Sequence, residues 1–207
     1  MTTISISGGN SDLTLPGNID TIIGGTGNDA ITISTQLTDV SNTLIDLGSG
    51  TDSLVLGNFA NTGTVANIES ITGNSAVDTL TFAAAATGAT VNLGAGSDKV
   101  TLFDGTNDIT LSNIETVVGD SGADTVVLGG SFGAANVSLG AGADSLTITS
   151  AVTSGTFDLG ADADTLTLAN AVNAITVAGA ETVTGGTLAD AVTLTTAITA
   201  AGVIDLK

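Results

Sequence analysis

The 207-residue chain carries 21 Asp and Glu against 2 Lys and Arg, for a net charge of −19, and it has no Cys and no His. Such a charge repels nucleic acid and anionic membrane surfaces. The missing Cys and His exclude zinc, haem, iron–sulfur and thiol chemistry and remove the commonest general base. Apolar residues still reach 42% with aromatics at 2%, so the composition allows a core, layered in Val, Leu, Ile and Ala rather than built on rings. No apolar run approaches membrane-spanning length, and no basic-plus-apolar leader precedes the strand-like Ile4-Ser-Ile6.

One phrase then recurs along the chain: a glycine-rich turn, an aspartate, and a short strand of alternating apolar residues. After a degenerate copy at Gly8-Gly-Asn-Ser-Asp12 and the segment Asn18-Ile-Asp-Thr-Ile22, it appears as Gly25-Thr-Gly27-Asn-Asp29-Ala-Ile-Thr-Ile33. It returns as Gly48-Ser-Gly50-Thr-Asp52, as Ala76-Val-Asp78, as Gly94-Ala-Gly96-Ser-Asp98 and as Gly122-Ala-Asp124. The last copies are Gly140-Ala-Gly142-Ala-Asp144, Gly160-Ala-Asp162-Ala-Asp164 and Leu188-Ala-Asp190. Short steps, such as Asp78 to Asp98 and Asp124 to Asp144, are interspersed with long ones from Asp52 to Asp78, Asp98 to Asp124 and Asp164 to Asp190. The steps span roughly 20 to 26 residues, a length at which repeats build solenoids.

Two and four residues after each aspartate stands an apolar side chain, as in Leu54 and Leu56 or Val100 and Leu102, and the residue between is Thr or Val. That is the period of a strand with one buried face. A β-branched residue suits the outer surface. A second kind of segment, Asn67-Ile-Glu69, Asn113-Ile-Glu115 and the decayed Gly179-Ala-Glu181, alternates with Leu-Gly lead-ins such as Ile45-Asp-Leu-Gly48. The repeat predicts one all-β domain over 1–207, a parallel β-solenoid of eight or nine coils with incomplete coils at 1–15 and 195–207. Aligning on the aspartates places them all along one edge, with the long steps accommodated by a wider loop opposite.

Glycines four and two residues before an aspartate let the backbone turn through conformations closed to other residues. Carbonyl and carboxylate oxygens gathered there suit a hard cation of flexible coordination, Ca²⁺ rather than Mg²⁺ or a transition metal. The candidate ligand turns are therefore Gly25, Gly27 and Asp29; Gly48, Gly50 and Asp52; Asp78; Gly94, Gly96 and Asp98; Gly122 and Asp124; Gly140, Gly142 and Asp144; Asp164; and Asp190. Gly24-Gly-Thr-Gly-Asn-Asp29-Ala-Ile-Thr resembles the RTX nonapeptide GGxGxDxUx of haemolysin-type calcium-binding β-roll proteins. That resemblance implies calcium between stacked turns and secretion, commonly by a type I route. The chain departs from the family in its longer spacing, and in Ala76, Asp162 and Leu188, which replace the glycine two before Asp78, Asp164 and Asp190. Family β-rolls carry ions on both edges; the spacing here predicts a single row.

The composition is also similar to that of bacterial S-layer proteins with RTX-like solenoids. The expected role is a secreted, calcium-stabilised structural protein that joins head to tail with copies of itself into a filament, surface layer or matrix. Two alternatives stand beside it: an ice-binding or adhesin-type module using the outward Thr file, and an RTX fragment of a larger secreted protein. An enzyme is not expected, since acid–base and nucleophilic options shrink to carboxylates and hydroxyls.

Overall fold

The computed structural model describes residues 3–6, 11–15, 20–38, 43–198 and 201–207. Gly8 to Asn10 and Asn18, from the two N-terminal repeat segments, lie outside the described residues, as does the side chain of Asp12. Two parallel sheets of 11 strands each wind into the expected β-solenoid. The first sheet runs from Thr3–Ser5 through Thr79–Phe82 to Asp190–Leu194; the second runs from Ser11–Leu15 through Thr87–Gly94 to Val203–Asp205. Consecutive strands alternate between sheets, so every coil crosses from one to the other and returns. Short strands at both ends extend the stack beyond the coils that carry the motif.

The period-two reading places the core correctly. In the second sheet Ile31 lies over Leu54, Leu54 over Ile71, Ile71 over Val91 and Val91 over Leu111. In the first, Leu80, Val100, Val117, Val137, Phe157 and Val177 form the facing ladder. All of these are buried. Identical registers stacked coil on coil let each branched side chain pack on its counterpart above and below, which compensates for the near absence of aromatics. At the outermost coil the same positions are uncovered: Val192 is partly buried and Leu194 is 38% exposed.

The coils are shorter than the long aspartate steps predict. Stacked partners lie 17 residues apart from Asp52 to Glu69, 20 from Asp124 to Asp144, and 23 from Asp29 to Asp52. The step from Asp52 to Asp78 is therefore no coil, and it contains no wider loop. Glu69 follows Asp52 in its stack; Asp78 lies a further half-coil along, where the chain enters the other sheet.

The glycine–aspartate turns consequently occupy both edges of the solenoid. Asp29, Asp52, Asp124, Asp144 and Asp164 stand where the chain enters the second sheet, whereas Asp78, Asp98 and Asp190 stand where it enters the first. This corrects the single edge. The outward file divides with it, Thr32, Val55, Val127, Thr147 and Thr167 falling on the second sheet and Thr81, Thr101 and Thr193 on the first.

Candidate functional site: stacked carboxylate ladders

Seven of the motif aspartates are buried and Asp190 is partly so, and they join coil to coil. The Asp29 N–H donates to Asp52 Oδ1 at 2.7 Å, and the Asp52 N–H donates to Glu69 Oε2 at 2.7 Å. On the opposite edge the Asn61, Asp78 and Asp98 N–H groups donate in turn to Asp78, Asp98 and Glu115, at 3.0, 2.7 and 2.8 Å. A third ladder runs from Asn107 through Asp124, Asp144 and Asp164 to Glu181, with bonds of 2.7 to 3.0 Å. In a fourth, Asn173 Nδ2 donates to Asp190 Oδ1 at 2.7 Å. Charge-assisted bonds to backbone amides are among the stronger hydrogen bonds a protein makes.

The ladders have a fixed order. Asparagine opens three of them: Asn61, Asn107 and Asn173, all buried. Asn107 shows why an amide is needed. Its Nδ2 donates to the carbonyls of Phe103 and Gly105 and to Asp124 Oδ1, while its Oδ1 accepts the Ala86 N–H. A carboxylate could not donate to those three oxygens. Asn61 and Asn173 repeat the pattern. The glycine–aspartate repeat did not single out these asparagines; the available signals were the Asx-x-x-Asn phrase that each closes, as in Asp104-Gly-Thr-Asn107, and their place 17 residues before Asp78, Asp124 and Asp190.

Glutamate closes three ladders, always across a 17-residue step. At each, two consecutive amides converge on the preceding aspartate's carbonyl, as with Glu69 and Ser70 on Asp52 O at 3.2 and 3.0 Å. The backbone is thus committed to the carbonyl, and the extra methylene of glutamate returns its carboxylate to the N–H. Backbone conformation accounts for the residues that precede it: Asn67 and Asn113 adopt φ of 52° and 57°, and Gly179 stands in the decayed copy at 73°. Asparagine and glycine tolerate that left-handed conformation best. The buried Ile68, Ile114 and Ala180 follow.

The glycine positions hold turn on turn. Ser49, Ala95, Ala141 and Ala161 N–H donate to the carbonyls of Gly25, Asn74, Asp120 and Gly140, at 2.7 to 2.9 Å. Gly140, at φ +102°, lies so close over Asp120 that a Cβ would overlap its carbonyl oxygen. Asp162 keeps the turn at φ +91° where Asp144's turn has Gly142. Asp78, Asp164 and Asp190 join the ladders despite their altered glycine positions, so all eight motif aspartates take part.

In six of the aspartates one oxygen is left over. Oδ2 of Asp52, Asp98, Asp124, Asp144, Asp164 and Asp190 is buried without a hydrogen-bond partner. Burial pushes the carboxyls of Asp52, Asp78, Asp124 and Asp144 above their ordinary range, and those of Asp98 and Asp164 to about 6. Neighbouring carboxylates raise Asp52, Asp98 and Asp164 further: Glu69 and Asp29 beside the first, Asp78 and Glu115 beside the second, and Asp144, Glu181 and Asp162 beside the third. Unsatisfied buried oxygens with raised proton affinity are the donor set a hard cation takes. Among the described residues no group of three or more acidic side chains converges on one point, so an ion here would also draw on carbonyl oxygen and water. Comparison with protein-family models, curated proteins and solved structures yields no match to this chain.

Proposed function

We propose that this chain is a calcium-binding structural solenoid of the extracellular space, a rigid acidic rod that associates with its own copies into a filament, surface layer or matrix. The observation that carries the reading is the set of buried aspartate oxygens, Oδ2 in each case, that have no partner. Left as bare anions stacked coil over coil they repel one another, and divalent cations offset that repulsion. Oxygen donors favour calcium among the common ions, in keeping with the resemblance to RTX nonapeptides. Calcium-rich surroundings place the folded rod outside the cell, and type I secretion is the export route the resemblance implies.

Self-association joins copies by parallel strand pairing, which covers Leu194, Val203 and Ile204, 38%, 55% and 39% exposed. A second copy adding strands there in parallel register makes a heterologous, non-closing contact and hence a filament. Circular dichroism and electron microscopy of the purified chain test the calcium and the assembly readings together. Calcium is expected to raise the melting temperature and produce filaments; identical melting curves in calcium and chelator overturn the calcium reading.

Ice binding is the second reading, favoured by one surface. On the second sheet Thr125, Ser145, Thr165 and Thr182 align in register beside Val127, Thr147, Thr167 and Thr184. A regular grid of hydroxyls and methyls can order water. Thermal hysteresis in the monomeric protein supports this reading, and its absence removes it.

A further inference from the structure

Among the described residues seven rungs join two carboxylates, and they are not alike. Four join aspartate to aspartate: Asp29 to Asp52, Asp78 to Asp98, Asp124 to Asp144, and Asp144 to Asp164. Both members of these rungs are buried, with 0 to 2% exposure. Three join aspartate to glutamate: Asp52 to Glu69, Asp98 to Glu115, and Asp164 to Glu181. There the aspartate is buried and its Oδ2 unpartnered, while the glutamate is partly open to solvent.

Glutamate Oε2 lies 2.7 to 2.9 Å from the aspartate amide nitrogen. Covalent geometry then holds the two carboxyl groups within about 6 Å of each other. That separation is one a single divalent ion with oxygen contacts of roughly 2.3–2.6 Å can bridge. The solvent side of the glutamate supplies the entry path and coordinating waters that an enclosed aspartate pair lacks.

We infer that the three Asp–Glu rungs, Asp52/Glu69, Asp98/Glu115 and Asp164/Glu181, are the sites at which this solenoid binds divalent cations, each ion bridging two successive coils. Glu69, Glu115 and Glu181 are ligands in their own right, and the count is three ions rather than one per glycine–aspartate turn. The inference rests on the calcium reading above and narrows it. Because the rungs lie on alternating edges, the ions fasten the stack at separate levels on both sides.

Isothermal titration with calcium and terbium luminescence on the full chain test it. Wild type is expected to bind three ions, and each of E69Q, E115Q and E181Q to bind one fewer. The triple variant is expected to bind none, with its strand signal in circular dichroism retained, since glutamine still accepts the aspartate N–H. D158N, which alters an exposed carboxylate outside every rung, is expected to keep all three. If the triple variant fails to fold, the single variants give the count. Calcium bound in undiminished number by the Glu→Gln variants overturns the inference while leaving the calcium reading standing. No binding by wild type overturns both.

Discussion

The backbone N–H of Asp52 donates to Oε2 of Glu69 at 2.7 Å, across a coil 17 residues long. Asp52 is buried, so removing the acceptor leaves its amide unsatisfied. In chelator, Glu69→Ala is expected to cost about 1–3 kcal/mol, whereas Glu69→Gln, which keeps an acceptor oxygen, costs a small fraction of that. Urea denaturation of the two variants measures the difference. Equal losses would remove this hydrogen bond from the stability of the stack.

Asn107 satisfies four groups at once, so its loss is felt more. Asn107→Ala strips partners from Ala86, Phe103, Gly105 and Asp124 and is expected to cost roughly 2–4 kcal/mol. Asn107→Asp keeps the shape but opposes a second carboxylate to Asp124. It is expected to be as damaging at neutral pH and to recover when acid protonates the pair. A thermal melt at pH 7.5 and at pH 4.5 separates the two variants.

Carboxyls held above their ordinary range set the sign of the pH dependence. Asp98 and Asp164, near 6 when folded against 3.8 as a free side chain, bind more protons in the folded state between those limits. Stability therefore falls as pH rises through that window and is highest toward its acid end. In chelator the denaturation midpoint is expected to increase from pH 7 to pH 5, and saturating calcium to flatten the slope. A midpoint that falls on acidification in chelator contradicts the raised carboxyls.

Two glycines with positive φ distinguish backbone conformation from space. Gly140 at φ +102° has Asp120's carbonyl against it, whereas Gly88 at φ +68° has open space around it. Gly88→Ala is expected to cost on the order of 1 kcal/mol, from conformation alone. Gly140→Ala must also push stacked turns apart and is expected to lose the cooperative unfolding transition. Calorimetry of the two proteins checks the contrast.

Much of the fold was legible because burial in a strand has an unambiguous period. Leu54 and Leu56, or Val126 and Leu128, point inward on any parallel stacking of the repeat, and they do. The ladders were half legible. Each aspartate stood out by its place before an alternating strand, but Asn61, Asn107 and Asn173 close a different phrase, Asn58-Phe-Ala-Asn61, Asp104-Gly-Thr-Asn107 and Asn170-Ala-Val-Asn173, and their role depends on which coil lies beneath. Glu69, Glu115 and Glu181 were visible as a repeat of their own. Nothing local marked them as occupying aspartate's place in the stack.

The amino-acid sequence by itself determined a parallel β-solenoid with an aliphatic core and aspartates set at its turns, because side-chain alternation and turn chemistry are local properties. Tertiary structure alone decided which edge each aspartate occupies. The step from Asp52 to Asp78 is compatible with one long coil or with a short coil and a half. The difference lies in whether Glu69 stacks on Asp52, an interaction between residues 17 apart that meet only once two coils are in register.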